Sequence, residues 1–267
     1  MKAEPILTAE DASRWRTFER AALAWATGRT HAYRVDAARR AIGNMASRSP
    51  AAYVAWSAGK DSTALAHLAA SEGARAAMSV KDDLDFPGEE AYVLKYAAEW
   101  GISLDIARPP GSLQVWLAEH APRANDDLHG RASAFSRWAF YDVVAAYRDA
   151  HGVPGVYLGM RAEESAGRRL NRMSRGLLYE KADGEVVCTP IADWRGIDVY
   201  AYLLSRGIEL LPVYRCIRLH ERPDLVRKSW WLPGTHSARG GMVWLRTYYP
   251  SLYARLCELL PDARVWA

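Results

Sequence analysis

Cysteine is scarce in this chain. Its 267 residues include three, Cys188, Cys216 and Cys257, far apart and with no CxxC pair. That spacing argues against a disulfide framework, a zinc ribbon or a cysteine-ligated cluster supplied by this chain alone. The three read instead as small buried hydrophobes, and neither zinc nor an iron–sulfur cluster is expected. Long apolar runs are also missing: none approaches the roughly 20 residues needed to span a bilayer. Residues 1–5 lead directly into a charged amphipathic stretch, which is not the form of a secretory signal. The expectation is a cytoplasmic protein with no membrane contact. Lysine is rare, six of 35 basic residues, the other 29 being arginine. Arginine is the better bidentate phosphate ligand, but a GC-rich coding sequence gives the same excess, and most of the arginines are read that way. A net charge of +4 is too modest to require a nucleic-acid partner. No repeat and no low-complexity tract occurs.

What stands out is one stretch, Ser57-Ala58-Gly59-Lys60-Asp61-Ser62-Thr63. It follows an apolar strand-like run, 51–56, and opens a helical pattern. A helix start leaves backbone N–H groups unpaired and carries a partial positive charge, which suits an anion. Gly59 permits close approach of backbone to a ligand. Ser57, Ser62 and Thr63 add hydroxyls, and Lys60 adds a mobile cation. Asp61 belongs beside an anion only if it orients the loop or holds a bridging metal. The stretch is not a Walker A motif, because Gly59-Lys60 is followed by aspartate and no glycine stands five positions earlier.

Around this stretch the chain divides into three expected parts. Residues 1–49 form a helical extension, in which Thr8 and Asp11 have the spacing of a capping box. It is read either as a cover for one sheet face or as an oligomer contact. Residues 50–214 alternate strand and helix, with strands near 51–56, 76–80, 102–106 and 156–160. A hairpin is expected at 177–189, around Ala182-Asp183-Gly184. Residues 215–267 form an Arg/Trp-rich segment packed on the same domain. The alternation predicts an α/β fold, a parallel five-stranded sheet with helices on both faces. In such sheets ligands bind beyond the carboxyl ends of the strands at the switch point. The polar segments 57–63, 81–88 and 161–169 all follow strand ends, so they are expected to gather on one sheet edge.

The loop resembles the SxGxDS pyrophosphate loop of the PP-loop ATP pyrophosphatases, and within them the phosphoadenosine-phosphosulfate (PAPS) reductase-like branch. Three further segments carry the resemblance in the family's order. Residues 80–89, with Asp82, Asp85 and Pro87, are similar to its DTG-x-x-x-P loop. Gly159, Arg161 and Ser165 with Arg168 or Arg169 resemble its G-x-R-x-x-x-S-x-x-R pattern. Pro190, Trp194, Asp198-Val199-Tyr200 and Leu211-Pro212-Val213-Tyr214 resemble its P-x-x-x-W…DVW…P…LY region. The match covers about 50–215. It departs at Asp82-Asp83-Leu84, which replace Asp-Thr-Gly, and at the carboxyl end, which lacks the reductase cysteine and the cluster cysteines of other members.

The resemblance implies an adenine nucleotide alpha hydrolase-like fold and ATP with Mg²⁺ as cofactors. The nucleotide-binding residues it implies are Ser57, Ala58, Gly59, Lys60, Asp61, Ser62, Thr63, Asp82, Gly159, Arg161, Ser165 and Arg168. Asp61 and Asp82 are the implied Mg²⁺ ligands, and Lys60, Asp61 and Arg161 the implied catalytic residues. The expected reaction is attack of an unidentified acceptor on the α-phosphate with release of pyrophosphate. Two alternatives stand beside it: a sulfonucleotide reductase that borrows a partner's cysteine, and a nucleotide-binding module without catalysis. Nucleic acid and a second copy of the chain are left open as partners. The run Arg215, Arg218, His220, Arg222, Arg227, Lys228 before Trp230-Trp231 is read as a single-strand contact or as a flap over the site. His220 and His236 are single loop histidines, read as surface residues, with a general base as the alternative for either.

Overall fold

Strand and helix alternate because apolar runs of four to six residues alternate with amphipathic ones, and a computed structural model shows how they assemble. The structure describes residues 4–81, 85–120, 122, 133–220, 222–228 and 240–267. Two helices, α1 (Ala9–Ala26) and α2 (Arg29–Arg48), precede the sheet. Strand β1 (Ala52–Ala55) leads to α3 (Lys60–Ser71), β2 (Ala76–Val80) to α4 (Glu89–Trp100), and β3 (Ser103–Ala107) to α5 (Leu113–His120). A short helix α6 (Ala134–Ser136) runs through a π-helical turn (Arg137–Tyr141) into α7 (Asp142–His151). Then come β4 (Gly155–Leu158), α8 (Ala166–Arg175), β5 (Leu178–Glu180), β6 (Val186–Cys188) and α9 (Gly196–Leu204). The described chain closes with α10 (Gly241–Tyr248), α11 (Pro250–Leu259) and a 3-10 turn (Pro261–Trp266).

The sheet has six strands in the order β3-β2-β1-β4-β6-β5, not five. Five are parallel; the extra strand, β5, pairs antiparallel with β6 through the hairpin around Gly184. A tight turn can only return the chain antiparallel, so the hairpin adds an edge strand instead of extending the parallel set. The order reverses between β1 and β4, and the crevice beyond their carboxyl ends is the switch point of the sheet.

Alternation of side chains gives each strand two buried faces. Val54, Trp56, Ala77 and Tyr157 join the larger core beneath α2, α3, α4 and α9, while Tyr53, Met78, Val156 and Val187 join a smaller one with Tyr147 of α7.

The helices outside the sheet are tied down by buried carboxylates. Thr8 and Asp11 form the expected capping box, and buried Asp11 also accepts from the Tyr248 hydroxyl and the Arg218 N–H, both at 2.7 Å. Asp198, fully buried at the start of α9, accepts from Trp25 Nε1 (2.7 Å), Arg34 Nη1 (2.5 Å) and the Arg195 N–H (2.7 Å). Trp15 and Phe18 meet Tyr200 edge-on. Among the described residues, no helix is long and apolar enough to cross a membrane.

Candidate functional site

The turn between β1 and α3 is held by its own side chains. The Ser57 N–H donates to Ser62 Oγ (3.2 Å), and Ser62 Oγ donates to the Gly59 carbonyl (3.0 Å). Trp56 Nε1 donates to Thr63 Oγ1 (3.1 Å), stapling the strand end to the first helical turn. The left-handed residue of the turn is Ala58, at φ 62, while Gly59 keeps an ordinary φ of −65 as the N-cap. Left-handed backbone costs an L-residue roughly 1–2 kcal/mol, so the surrounding hydrogen bonds hold a strained peptide.

These bonds decide which backbone donors remain. The Lys60 N–H is taken by the Tyr214 hydroxyl at 2.7 Å, and the Thr63 N–H by the Gly59 carbonyl. Among the described residues nothing accepts from the N–H groups of Gly59, Asp61 or Ser62. Three free donors at a helix start form a cradle for an anion.

Gly159, just past β4, lies against this turn. A Cβ there would sit 2.9 Å from Ser62 Cα and N. Only glycine lets β4 come this close to α3, so Gly159 serves the approach of strand and helix.

Lys60 is not the mobile cation expected. Its side chain is fully buried between the Tyr200 and Tyr214 rings, with Nζ 2.8 Å from Asp61 Oδ2. Burial lowers its pKa, and Asp61 only partly restores it. The other Asp61 oxygen accepts from Arg161 Nε at 2.6 Å. Burial pushes the Asp61 carboxyl up, but the two cations and their hydrogen bonds outweigh it and hold the pKa below the ordinary aspartate value. Each oxygen is thus already matched to a cation, and in this arrangement Asp61 does not fit a magnesium ligand. Asp82, the second implied ligand, lies outside the described residues. Among the described residues no cluster of three or more His, Cys, Asp or Glu could hold a metal.

Arg161 is buried where β4 leaves the sheet, and it also pairs with Glu163 and, at 3.6 Å, with Glu164. Among the described residues its Nη2, the atom 3.6 Å from Glu164, has no acceptor within hydrogen-bond distance. Glu164 gathers two more guanidinium groups, Arg168 and Arg227, the latter at 3.4 Å. Burial and then mutual repulsion lower the pKa of Arg168 and Arg227, so the cluster has an unmet demand for negative charge. An orphaned guanidinium nitrogen beside three free N–H groups fits a phosphate chain. Two other arginines of this stretch have structural partners: Arg172 forks onto Asp193, and Arg175 covers the Tyr179 ring. Ser165 caps α8, accepting from the Arg168 N–H.

The end of β2 holds a second ionic group. Lys81 Nζ lies 3.1 Å from Glu89 and 3.4 Å from Asp85, and Lys228 Nζ lies 2.5 Å and 3.2 Å from the same carboxylates. Asp85 is therefore an ion-pair partner. Consecutive residues Arg227 and Lys228 bridge the loops after β4 and β2, so the three strand-end segments do share one edge. Lys81, Glu89 and Tyr214 were overlooked as site residues. Lys81 and Glu89 flank the acidic loop and are legible as its framing ions; Tyr214 is legible only as the last residue of the P…LY resemblance, which does not say that its hydroxyl reaches the loop. His220 is buried, not on the surface, and burial lowers its pKa; His236, Trp230 and Trp231 lie outside the described residues.

The phosphoadenosine phosphosulfate reductase domain family matches residues 51–217. The chain belongs to that family, and its fold is that of the adenine nucleotide alpha hydrolase superfamily. It is similar in fold to the phosphoadenylyl-sulfate (PAPS) reductase from Candida auris in its phosphate complex. That likeness has a TM-score of 0.52 at 16% identity and covers 65% of this chain and 81% of the other. No curated protein matches the chain in sequence.

Proposed function

We propose that the chain binds ATP at the turn 57–63 and transfers its adenylyl group to an acceptor, releasing pyrophosphate. The observation that carries this reading is the cradle itself: three N–H groups at the start of α3 that no described residue engages, beside an Arg161 nitrogen with no hydrogen-bond acceptor among the described residues. A lone pair of the acceptor attacks the α-phosphorus, the bond to the bridging oxygen breaks, and that electron pair leaves with pyrophosphate. Charge develops on the leaving group, where preorganised N–H groups and guanidinium groups stabilise it without a covalent step. Lys60 and Arg161 fix Asp61, and Asp61 fixes them, so the cations are oriented before the nucleotide arrives. Magnesium bound to the nucleotide would offset phosphate charge.

All three cysteines are buried. Burial pushes the Cys188 thiol up to about 12 and the Cys216 thiol higher still, and the thiolate is the nucleophile. This favours adenylyl transfer over a reductase that uses its own cysteine, and a sulfonucleotide reductase would need a partner's thiol.

The test is incubation with ATP, water serving as default acceptor, and measurement of AMP and pyrophosphate. Equal amounts of both, lost in Asp61→Ala, are expected. Sulfite from PAPS with added thioredoxin, and no pyrophosphate from ATP, would overturn the proposal in favour of the reductase. Nucleotide binding without either product would reduce it to a binding module.

A further inference from the structure

The carboxyl end of β3 opens on a cleft of about 980 Å³ that none of the loop residues line. Its walls are the turn 108–112, α5, the π-helical turn and α7. Trp116 stacks on His120, with centroids 4.1 Å apart and planes 6° from parallel, and on Trp138 at 5.7 Å and 27°. Two hydrogen bonds fix the outer rings: His120 Nδ1 with the Trp116 carbonyl (2.9 Å) and Trp138 Nε1 to the Pro110 carbonyl (2.8 Å). Trp116 is buried, whereas His120 is exposed and Trp138 half-buried. Ring surface is therefore left at both ends of the stack.

Two cations stand beside it. Arg108 and Arg137 line the cleft with side chains 55% and 63% exposed. Among the described residues each is paired only with an exposed carboxylate, Glu90 or Asp142. Such surface pairs are weak, so either guanidinium can exchange its carboxylate for a phosphate, which it grips more strongly as a fork. Glu119 also lines the cleft and can accept from an amino group on a base edge, as carboxylates do with cytosine N4. Arg137 opens a π-helical turn, an irregularity frequent at functional sites.

Fixed aromatic faces beside mobile guanidinium groups are what base stacking with phosphate contact requires. We propose that this cleft is a separate recognition site for a nucleobase carrying a phosphate, supplied as a free nucleotide or by single-stranded nucleic acid. β3 is two strand spacings, roughly 10 Å, from β1, so the cleft opens on the same sheet edge as the loop. Binding here stands whether or not the loop transfers an adenylyl group.

Calorimetric titration with dCMP and with an oligodeoxycytidylate of about eight nucleotides tests it, since neither probe carries adenine. Saturable binding is expected, weakened about fivefold or more by His120→Ala and by Arg137→Gln. Both positions are exposed, and circular dichroism checks that the variants fold. Neither variant should change ATP binding, and Asp61→Asn should leave binding of the cytidine probes unchanged. An oligonucleotide affinity at least about tenfold above that of dCMP, falling steeply with salt, identifies single strands as the ligand; equal affinities identify the free nucleotide. Absence of saturable binding by both probes overturns the inference, as does binding that both variants leave within about twofold of wild type.

Discussion

Arg161 leaves β4 and meets Asp61, on the first turn of α3, with Nε 2.6 Å from Oδ1. The two residues are one hundred positions apart in the chain, and their contact spans the switch point of the sheet. Lys60 holds the other Asp61 oxygen, so an acid flanked by two cations organises the crevice.

Removal of Arg161 should therefore cost stability as well as activity. Breaking one partner of a buried pair leaves an uncompensated charge, at about 3–5 kcal/mol. Arg161→Ala is expected to lose about that much in urea denaturation with an unchanged m-value, and to lose pyrophosphate release from ATP. Lys60→Ala should fold but be destabilised, because Asp61 and Arg161 stay paired; Asp61→Ala takes the carboxylate from both cations and strands the buried Lys60 ammonium, so it should cost at least as much as Arg161→Ala, and both should lose turnover. Full activity in any of the three would remove the site from this crevice.

The Tyr214 hydroxyl should set the loop's position. It accepts the first N–H of α3, and Tyr214→Phe leaves that buried donor unsatisfied, at about 1–3 kcal/mol. ATP affinity should fall with it, as the freed N–H and its neighbours shift. A variant with wild-type stability and affinity would show that the bond orients nothing.

Two glycines should respond in opposite directions. Gly159→Ala places a methyl group 2.9 Å from the Ser62 backbone and should cost about 1–3 kcal/mol through overpacking, with ATP binding weakened. Gly43→Ala, inside α2 with nothing within 4 Å of the added carbon, should gain about 0.5–1 kcal/mol. Thermal melts of the pair separate steric from conformational roles.

Acid should release the helical extension. Burial raises the pKa of Asp11 and of Asp198, but their hydrogen bonds outweigh it, and both lie below the ordinary value of 3.8. Asp61 lies below it as well, through Lys60 and Arg161. A carboxyl with a lower pKa folded than unfolded stabilises fully above its unfolded value, and that contribution disappears as pH falls through its folded value. Unfolding free energy should thus be level toward neutral pH and drop below about pH 4. Asp198→Asn should be less stable at neutral pH but show a shallower acid drop; an identical acid slope would assign the drop to other groups.

The thiols should be silent in the native protein. All three cysteines are buried, and a buried apolar setting suppresses the reactive thiolate. Ellman's reagent should find almost no thiol before denaturation and three after it. A thiol that reacts rapidly in the folded state would reopen reduction by the chain itself.

Much of this was legible locally. The strands near β1 to β4, the hairpin, the capping box of Thr8 and Asp11, and the meeting of segments 57–63, 81–88 and 161–169 all follow from period, turn chemistry and the rule that parallel strands end on one edge. The loop's anion-binding character follows from its place between strand and helix. Less legible were the roles of single side chains. Lys60 reads as a free cation, yet α3 turns it inward between two tyrosines that lie about 140 and 154 positions away. Asp85 reads as one acid of the loop after β2 and is an ion-pair partner, because Lys228 arrives from the far end of the chain. Gly159 reads as a nucleotide contact, and its close approach to the Ser62 backbone is visible only in the fold.

The sequence by itself determined the elements, the parallel sheet and the loop, since hydrophobic period, capping and turn residues act over a few positions. Only the tertiary structure decided which N–H groups stay free, where Lys60 points, that Arg161 belongs to Asp61, and that β3 carries an aromatic cleft. Those depend on partners brought together from distant parts of the chain, and the energy of a charge or an N–H is set by what surrounds it once folded.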